Sequence, residues 1–362
     1  MVESVIIGGG YSAFITQLLL PTGIPILTPS GSNQIPLGKQ HRRPKIEANK
    51  VFAEKAFSHG GISFDLKNGN LHDRLNIGGN SAIWGGFMDQ AKVPIEFIDK
   101  LKGQNLCLQP LSFENTGSYS NNPSIVQLQN SNGNIFNAKN YLSNVKNTFL
   151  DTFYIDKDKI ILKILKIKPY MVDSLPEYEI ISTNKLILCI GTVQLLDLLM
   201  RSNYLPKKSK IKLTEFPCRY EIKLSPKIID SLESGTRIRY NITRALLHYL
   251  GIQRHYSSLN FTNKLPLYLD QIFQNFSRTI FLDYENKQLT DSSQIKNRGY
   301  GSSIHYCNMH INNLNINYIL NEINPNIVGI GMPFVEQAQG GPISNLIALD
   351  AIKKCEVKNE KQ

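Results

Sequence analysis

The stretch "VESVIIGGGYSAFITQLLL", residues 2–20, decides how the rest of the chain is read. A mostly apolar run ending in Val5, Ile6 and Ile7 meets three glycines, and an apolar stretch follows from Ala13. A short apolar segment closed by glycine is the pattern of a buried parallel strand. Residues 12–20 read as the helix after it, and "GIPILTPSG", residues 23–31, reads as a second strand stopped by Pro29. The opening is therefore a βαβ unit.

Within it, Gly8-x-Gly10-x-x-Ala13 fits G-x-G-x-x-G/A between a strand and a helix. The first glycine allows a tight turn, the second lets a pyrophosphate approach the backbone, and the small third residue lets helix and strand pack. Free N–H groups and the helix dipole then hold phosphate charge. The bland alternative is a turn that only closes a packed βα unit. One usual part is absent. An acid about 20 residues on commonly accepts the ribose hydroxyls, and Thr28 stands there instead.

Three further segments share the glycine-rich character. "LNIGGNSAIWGGFMD", residues 75–89, sets four glycines among small polar residues and the single tryptophan. A flat ligand against the main chain needs such bare backbone. "NKLILCIGTVQLLDLL", residues 184–199, reads as strand, glycine, helix. "NIVGIGMPFVEQAQGGPISNLIALDAI", residues 326–352, reads as strand, glycine turn, Gly-Gly-Pro and helix.

Composition bounds the rest. The 362 residues, 41% apolar and 19% charged, suit one large α/β domain carrying a smaller one. The net charge of +11 draws anionic partners or simply marks a solvated lysine-rich surface. Five cysteines without CxxC spacing argue for a reducing compartment, against a disulfide framework and against a zinc site, and no metal is expected. No stretch reaches the roughly 18 apolar residues of a membrane span, and no signal peptide is visible. The expectation is a cytoplasmic protein that takes a small-molecule substrate, either anionic or sugar-like, binds no nucleic acid and is compatible with an oligomer.

Along the chain, "FYIDKDKIILKILKIKP", residues 153–169, and "EYEIISTNKLILCIG", residues 177–191, each read as a strand, while 104–138 is rich in Asn, Ser and Gln and reads as an irregular excursion. Residues 215–300 change character, with alternating apolar positions as in "TRIRYNITRALLHYL". The expected organisation is a nucleotide-binding domain over 1–214 with an irregular excursion near 104–136, a smaller domain over 215–300, and a return over 301–362.

The four glycine segments, in this order, resemble the glucose-methanol-choline (GMC) family of FAD-dependent oxidoreductases, most nearly its pyranose-oxidase-like and cholesterol-oxidase-like branches. The likeness covers residues 1–90, 137–205 and 300–355. It implies an α/β fold: a Rossmann-like FAD-binding domain with a smaller, mainly antiparallel β-sheet substrate domain. It also implies oxidation of a hydroxyl group by hydride transfer to flavin N5. Carried onto this chain, Gly8, Gly10, Tyr11, Ser12 and Ala13 line the pyrophosphate and Thr28 faces the ribose. Gly79, Asn80, Ser81, Trp84 and Gly85 run along pyrophosphate and flavin. Ile160 or a neighbour meets adenine through its backbone, Gly191 closes the adenosine side, and Gly331, Gly341 and Pro342 approach the isoalloxazine. Ile83 stands where relatives with covalent flavin carry a histidine, so the implied FAD is non-covalent.

The family's catalytic base is a histidine, and "GSSIHYCNMHINN", residues 301–313, occupies its place. His305 is the candidate base and His310 its rival, since neutral imidazole titrates near working pH. The family's partner side chain is replaced by Gly341-Pro342, which leaves Gln337 or Gln339 from the same loop. Two other readings stay open. One is a flavin-binding partner subunit or scaffold without alcohol oxidase activity. The other is a nicotinamide enzyme using only the first glycine turn.

Overall fold

The computed structural model describes residues 2–29, 61–66, 69–74, 77–79, 86–110, 124–166, 177–206, 208–215, 219–222, 236–240, 267–271, 278–283, 285–286, 288–291, 306–336 and 343–356. In chain order the strands are β1 (Val2–Ile7), β2 (Ile26–Thr28), β3 (Gly61–Leu66), β4 (Gly69–Arg74), β5 (Phe87–Asp89), β6 (Leu106–Pro110), β7 (Ile125–Asn130), β8 (Val145–Asp156), β9 (Lys159–Lys166), β10 (Tyr178–Leu188), β11 (Lys210–Glu215), β12 (Arg219–Ile222), β13 (Thr236–Tyr240), β14 (Leu267–Gln271), β15 (Arg278–Asp283), β16 (Gln288–Asp291), β17 (Tyr306–Ile311), β18 (Leu314–Asn315) and β19 (Ile327–Gly329). The helices are α1 (Tyr11–Leu19), α2 (Ile95–Gly103), α3 (Thr192–Arg201), α4 (Ile316–Ile323) and α5 (Ile343–Glu356).

A parallel layer runs in the order β8, β2, β1, β10, β19. Ile7 lies beside Leu27 on one side and Leu188 on the other, and Leu188 lies beside Gly329. Adjacent residues of these strands serve opposite faces. Val5, Ile7, Leu27, Leu186 and Leu188 join α3 and the second sheet in one buried cluster. Ile6, Ile26 and Ile187 join Ala13 and Phe14 of α1 and Ile347, Ala348 and Ala351 of α5 in the other. Both faces are covered, which is why the strands read as unbroken apolar runs.

The long strands β8 and β10 continue past this layer. Thr148–Asp156 of β8, all of β9 and Tyr178–Thr183 of β10 form an antiparallel meander. The stretch 153–169, read as one strand, is instead a hairpin. Asp156 pairs with Lys159 across a turn, and Lys157 takes φ 56° there. The uniform apolar pattern on both arms hid the reversal.

A second, fully antiparallel sheet has the order β16, β15, β11, β17, β18. It draws β11 and β17 from either side of the 215–300 limits read from the sequence. Among the described residues three smaller antiparallel groups are β3-β4, β12-β14-β13 and β5-β7-β6. The last corrects the irregular reading of 104–138. β7 is buried along nearly its whole length, with Gln127 and Gln129 inside. Gln129 Nε2 donates to Gln127 Oε1 at 2.7 Å, so two polar side chains satisfy each other in a place that hydropathy assigns to surface.

Candidate functional site

Four chain segments end at one edge of the parallel layer: 8–10 after β1, 77–79 shortly after β4, 189–191 after β10 and 330–331 after β19. The carboxyl edge of a parallel sheet is where α/β folds place their ligands. Gly8 takes φ 114°, and a Cβ there would collide with the Cys189 carbonyl. Gly8 N–H donates to the Leu27 carbonyl at 3.0 Å, and Cys189 N–H to that of Ile7 at 2.8 Å.

The second glycine segment docks directly on the first. Gly78 N–H donates to the Gly9 carbonyl at 2.6 Å, and Ile77 N–H to that of Pro29 at 2.7 Å. Gly79 takes φ 48°, and a Cβ on it would lie 3.1 Å from Gly10 Cα. Gly331, at φ 131°, closes the group from the other side. A Cβ there would lie 2.6 Å from Ser12 Oγ, in the first turn of α1. Thr28 is buried at the end of β2 with its hydroxyl toward Gly9. The structure thus brings Gly8, Gly10, Ser12, Ala13, Thr28, Gly79 and Gly331 together, and adds Gly191 through its neighbour Ile190.

The two helices that start here differ at their N-termini. Gly10 caps α1 without a side chain, and no acid stands in its first turn. The first N–H groups of a helix have no partner within it, so this terminus suits an anion. At α3 the place is taken. Asp73, 2% exposed, accepts from Val193 N–H at 2.6 Å and Gln194 N–H at 3.1 Å, and its carboxyl lies against Gly191. Sequence reasoning missed Asp73, because its partners lie 120 and 121 residues away.

The start of α5 is held against β5, the strand that follows the second glycine cluster. Asn345 accepts from Asp89 N–H at 2.7 Å and donates to the Asp89 carbonyl at 2.8 Å, and Ser344 Oγ donates to the Phe87 carbonyl. Neither Ser344 nor Asn345 carries a sequence signal, since a polar pair at a helix start reads as ordinary capping. Gly86, at φ 67°, is occupied by its own fold: a Cβ would lie 2.8 Å from Ile135 Cγ2.

Other site expectations fare differently. Tyr11 is a core side chain, its ring edge-on to Phe136 at 5.9 Å and its hydroxyl 3.9 Å from Met88 Sδ. Burial pushes its phenol well above the ordinary range. Ile160 is fully buried in the meander, paired with Thr183, which pairs in turn with Val2. Five residues of strand, about 17 Å, therefore separate that level from the glycine edge at Leu188, and Ile160 does not join the group. Its β-branched run marked a strand, and core packing claims it.

His310 sits at the far end of β17, Nδ1 3.1 Å from the Asn308 carbonyl, in register with Asn315. The opposite end of that strand is at the site: Thr192 Oγ1, next to Gly191, donates to the Tyr306 carbonyl at 2.8 Å. Asn80, Ser81, Trp84, Gly85, His305, Gln337, Gln339, Gly341 and Pro342 lie outside the described residues.

The FAD implied by the resemblance fits what is present: side-chain-free backbone from three segments faces an N-terminus that has no side-chain cap. No helix among the described residues is long and apolar enough to cross a membrane. Cys107, Cys189, Cys307 and Cys355 form no disulfide, and Cys218 lies outside the described residues.

No protein-family model matches the chain, and no curated protein matches its sequence. Solved structures do match. Pyridoxine 4-oxidase from Mesorbium loti superposes with a TM-score of 0.56 at 9% identity, over 99% of each chain. A fungal aryl-alcohol oxidase gives 0.50 at 8% identity, again over 99% of each chain. At these identities the likeness is one of fold. Both are GMC oxidoreductases, so the resemblance drawn from four glycine segments holds at the level of fold.

Proposed function

We propose that this chain is an FAD-dependent oxidoreductase of the GMC type that oxidises a hydroxyl group of a small sugar-like or alicyclic substrate. The observation that carries the cofactor assignment is the meeting of Gly10, Gly79 and Gly331 around the N-terminus of α1, which lacks a side-chain cap. Gly10, Ser12 and Ala13 hold the pyrophosphate through backbone N–H groups and the helix dipole. Thr28 stands at the ribose position, where a carboxylate is commonly found. The resemblance sets Gly331, Gly341 and Pro342 toward the flavin. No covalent tether is expected, because Ile83 offers no nucleophile.

When bound, the flavin supplies a two-electron acceptor for the carbon–hydrogen bond next to the hydroxyl. The chain itself must take the hydroxyl proton. His305 is the assigned base, and the reason is its place in the sequence. It directly precedes Tyr306, whose carbonyl is fastened to Thr192 beside Gly191. His310 is five residues further along, beyond the irregularity at Asn308, and its imidazole already meets the Asn308 carbonyl. Gln339 is proposed as the partner that orients the substrate oxygen.

The test is optical. The purified protein is expected to be yellow, to release its flavin on denaturation, and to bleach under anaerobic conditions with an alcohol from a panel of sugars and alicyclic alcohols. His305→Ala should keep the colour and lose the bleaching, while His310→Ala should keep both. A yellow protein that no alcohol bleaches would favour the flavin-binding scaffold. A colourless protein that takes up no FAD removes the cofactor assignment altogether.

A further inference from the structure

Behind the glycine edge, α5 carries a largely buried ion pair. Asp350 and Lys354 stand four residues apart, with Lys354 Nζ 2.9 Å from Asp350 Oδ1 and their side chains only 12% and 20% exposed. Each member also grips the loop after β19. Lys354 Nζ donates to the Gly329 carbonyl at 2.8 Å, and Asp350 accepts from Gly331 N–H. Lys354 reaches Asn317 Oδ1 of α4 at 3.1 Å, and Asn317 Nδ2 donates to the Phe334 carbonyl at 2.8 Å and to Glu336 at 3.2 Å. Two helices thus hold the 329–336 loop by its backbone.

An exposed pair at this spacing contributes only about 0.3–0.5 kcal/mol to a helix. Burying one carries a desolvation cost, and apolar residues of similar size often serve stability as well or better. Burial indeed pushes the Asp350 carboxyl upward, against the pull of Lys354 and the Gly331 amide, while Glu336 adds to the upward push. What the pair supplies that leucine and methionine cannot is direction: one acceptor for the amide of residue 331 and one donor for the carbonyl of residue 329. Those two groups bracket the turn that sets Gly331, at φ 131°, against Ser12.

We propose that Asp350 and Lys354 are positioning residues for the flavin, holding Gly331 where the cofactor's ring system meets the chain. This rests on the cofactor assignment above. The two residues touch no reacting atom and act only through the 329–331 backbone.

The test compares Asp350→Leu, Asp350→Asn and Lys354→Met with the parent protein, each reconstituted with FAD. Asn keeps an acceptor for Gly331 N–H and Leu keeps only the volume. Asp350→Leu is expected to weaken FAD binding roughly tenfold, the equivalent of one charge-assisted hydrogen bond, and to shift the visible spectrum of the bound flavin. Asp350→Asn should restore the parent spectrum and most of the affinity. Lys354→Met should shift the flavin midpoint potential, which a packing role would not move. Independently of flavin, amide exchange at 329–331 should rise in Asp350→Leu and not in Asp350→Asn. If the parent binds FAD while Asp350→Leu matches it in affinity and spectrum, the positioning role is overturned and the cofactor assignment stands. If Asp350→Leu does not fold, an unshifted potential in Lys354→Met overturns the role instead. If the parent takes up no FAD, both fall together.

Discussion

A methyl group at position 8 would run into the Cys189 carbonyl and would have to live at φ 114°, whereas one at position 10 would find nothing nearer than 3.8 Å. The two glycines therefore separate folding from binding. Gly8→Ala should destabilise the protein by at least about 1–3 kcal/mol through backbone strain alone, read as a fall in urea midpoint. Gly10→Ala should cost about 1 kcal/mol or less, the ordinary penalty of a poor N-cap, yet abolish FAD uptake, because the methyl enters the space that the pyrophosphate needs. Equal flavin content in Gly10→Ala and parent protein would count against the site. Asp73 makes a third case. It is the cap of α3 and also lies four residues before Ile77, so Asp73→Ala should lower stability by about 0.5–2 kcal/mol and loosen the segment that carries Gly79. Hydrogen exchange localised to residues 77–79 and to the start of α3 checks this.

At the scale of elements, the docking of α5 on β5 rests on Asn345, whose side chain satisfies both the N–H and the carbonyl of Asp89. Asn345→Leu leaves two buried backbone groups without that partner, at about 1–3 kcal/mol for each. Thermal unfolding of the variant should show a loss of that size. These elements also show what a sequence can disclose. β1, α1, β2, β10, α3 and α5 were legible because each carries a local cue: an apolar run ended by glycine, or an apolar face at helical spacing. The meeting of the four glycine segments was legible for the same reason, since bare backbone is a composition signal. β6 and β7 were not, because Gln127 and Gln129 are buried and satisfy each other. Nor was the β8–β9 turn, where Lys157 takes a positive φ that its neighbours do not announce. Asp73, Asn345, Asp350 and Lys354 were invisible because their partners are brought near only by the finished fold.

At the scale of the whole molecule, burial of ionisable groups sets a direction for pH dependence. Burial pushes the Cys189 thiol up to about 12, against the opposing pull of Thr16. Burial likewise raises Cys307 and Tyr11. In the unfolded chain a thiol ionises near pH 8.5. Stability is therefore intact below that value and is lost at about 1.4 kcal/mol per pH unit per thiol as pH rises toward the folded-state value. Urea midpoints measured from pH 8 to 10 should fall, and Cys189→Ala should make the slope shallower. Ligand binding acts the other way. On the proposed cofactor assignment, FAD at about one hundred times its dissociation constant adds about 2.7 kcal/mol, so stripping the flavin should lower the melting temperature and adding it back should restore it.

The strand order of the parallel layer has a consequence for the protein's birth. β1 and β2 are finished by residue 28, but the flanking partners that seal them, β8 and β10, start at residues 145 and 178. A ribosome adding about 5–20 residues per second leaves those apolar ribbons unaccompanied for on the order of ten seconds. A nascent chain stalled near residue 140 should accordingly be captured by chaperones that ignore the finished, released protein.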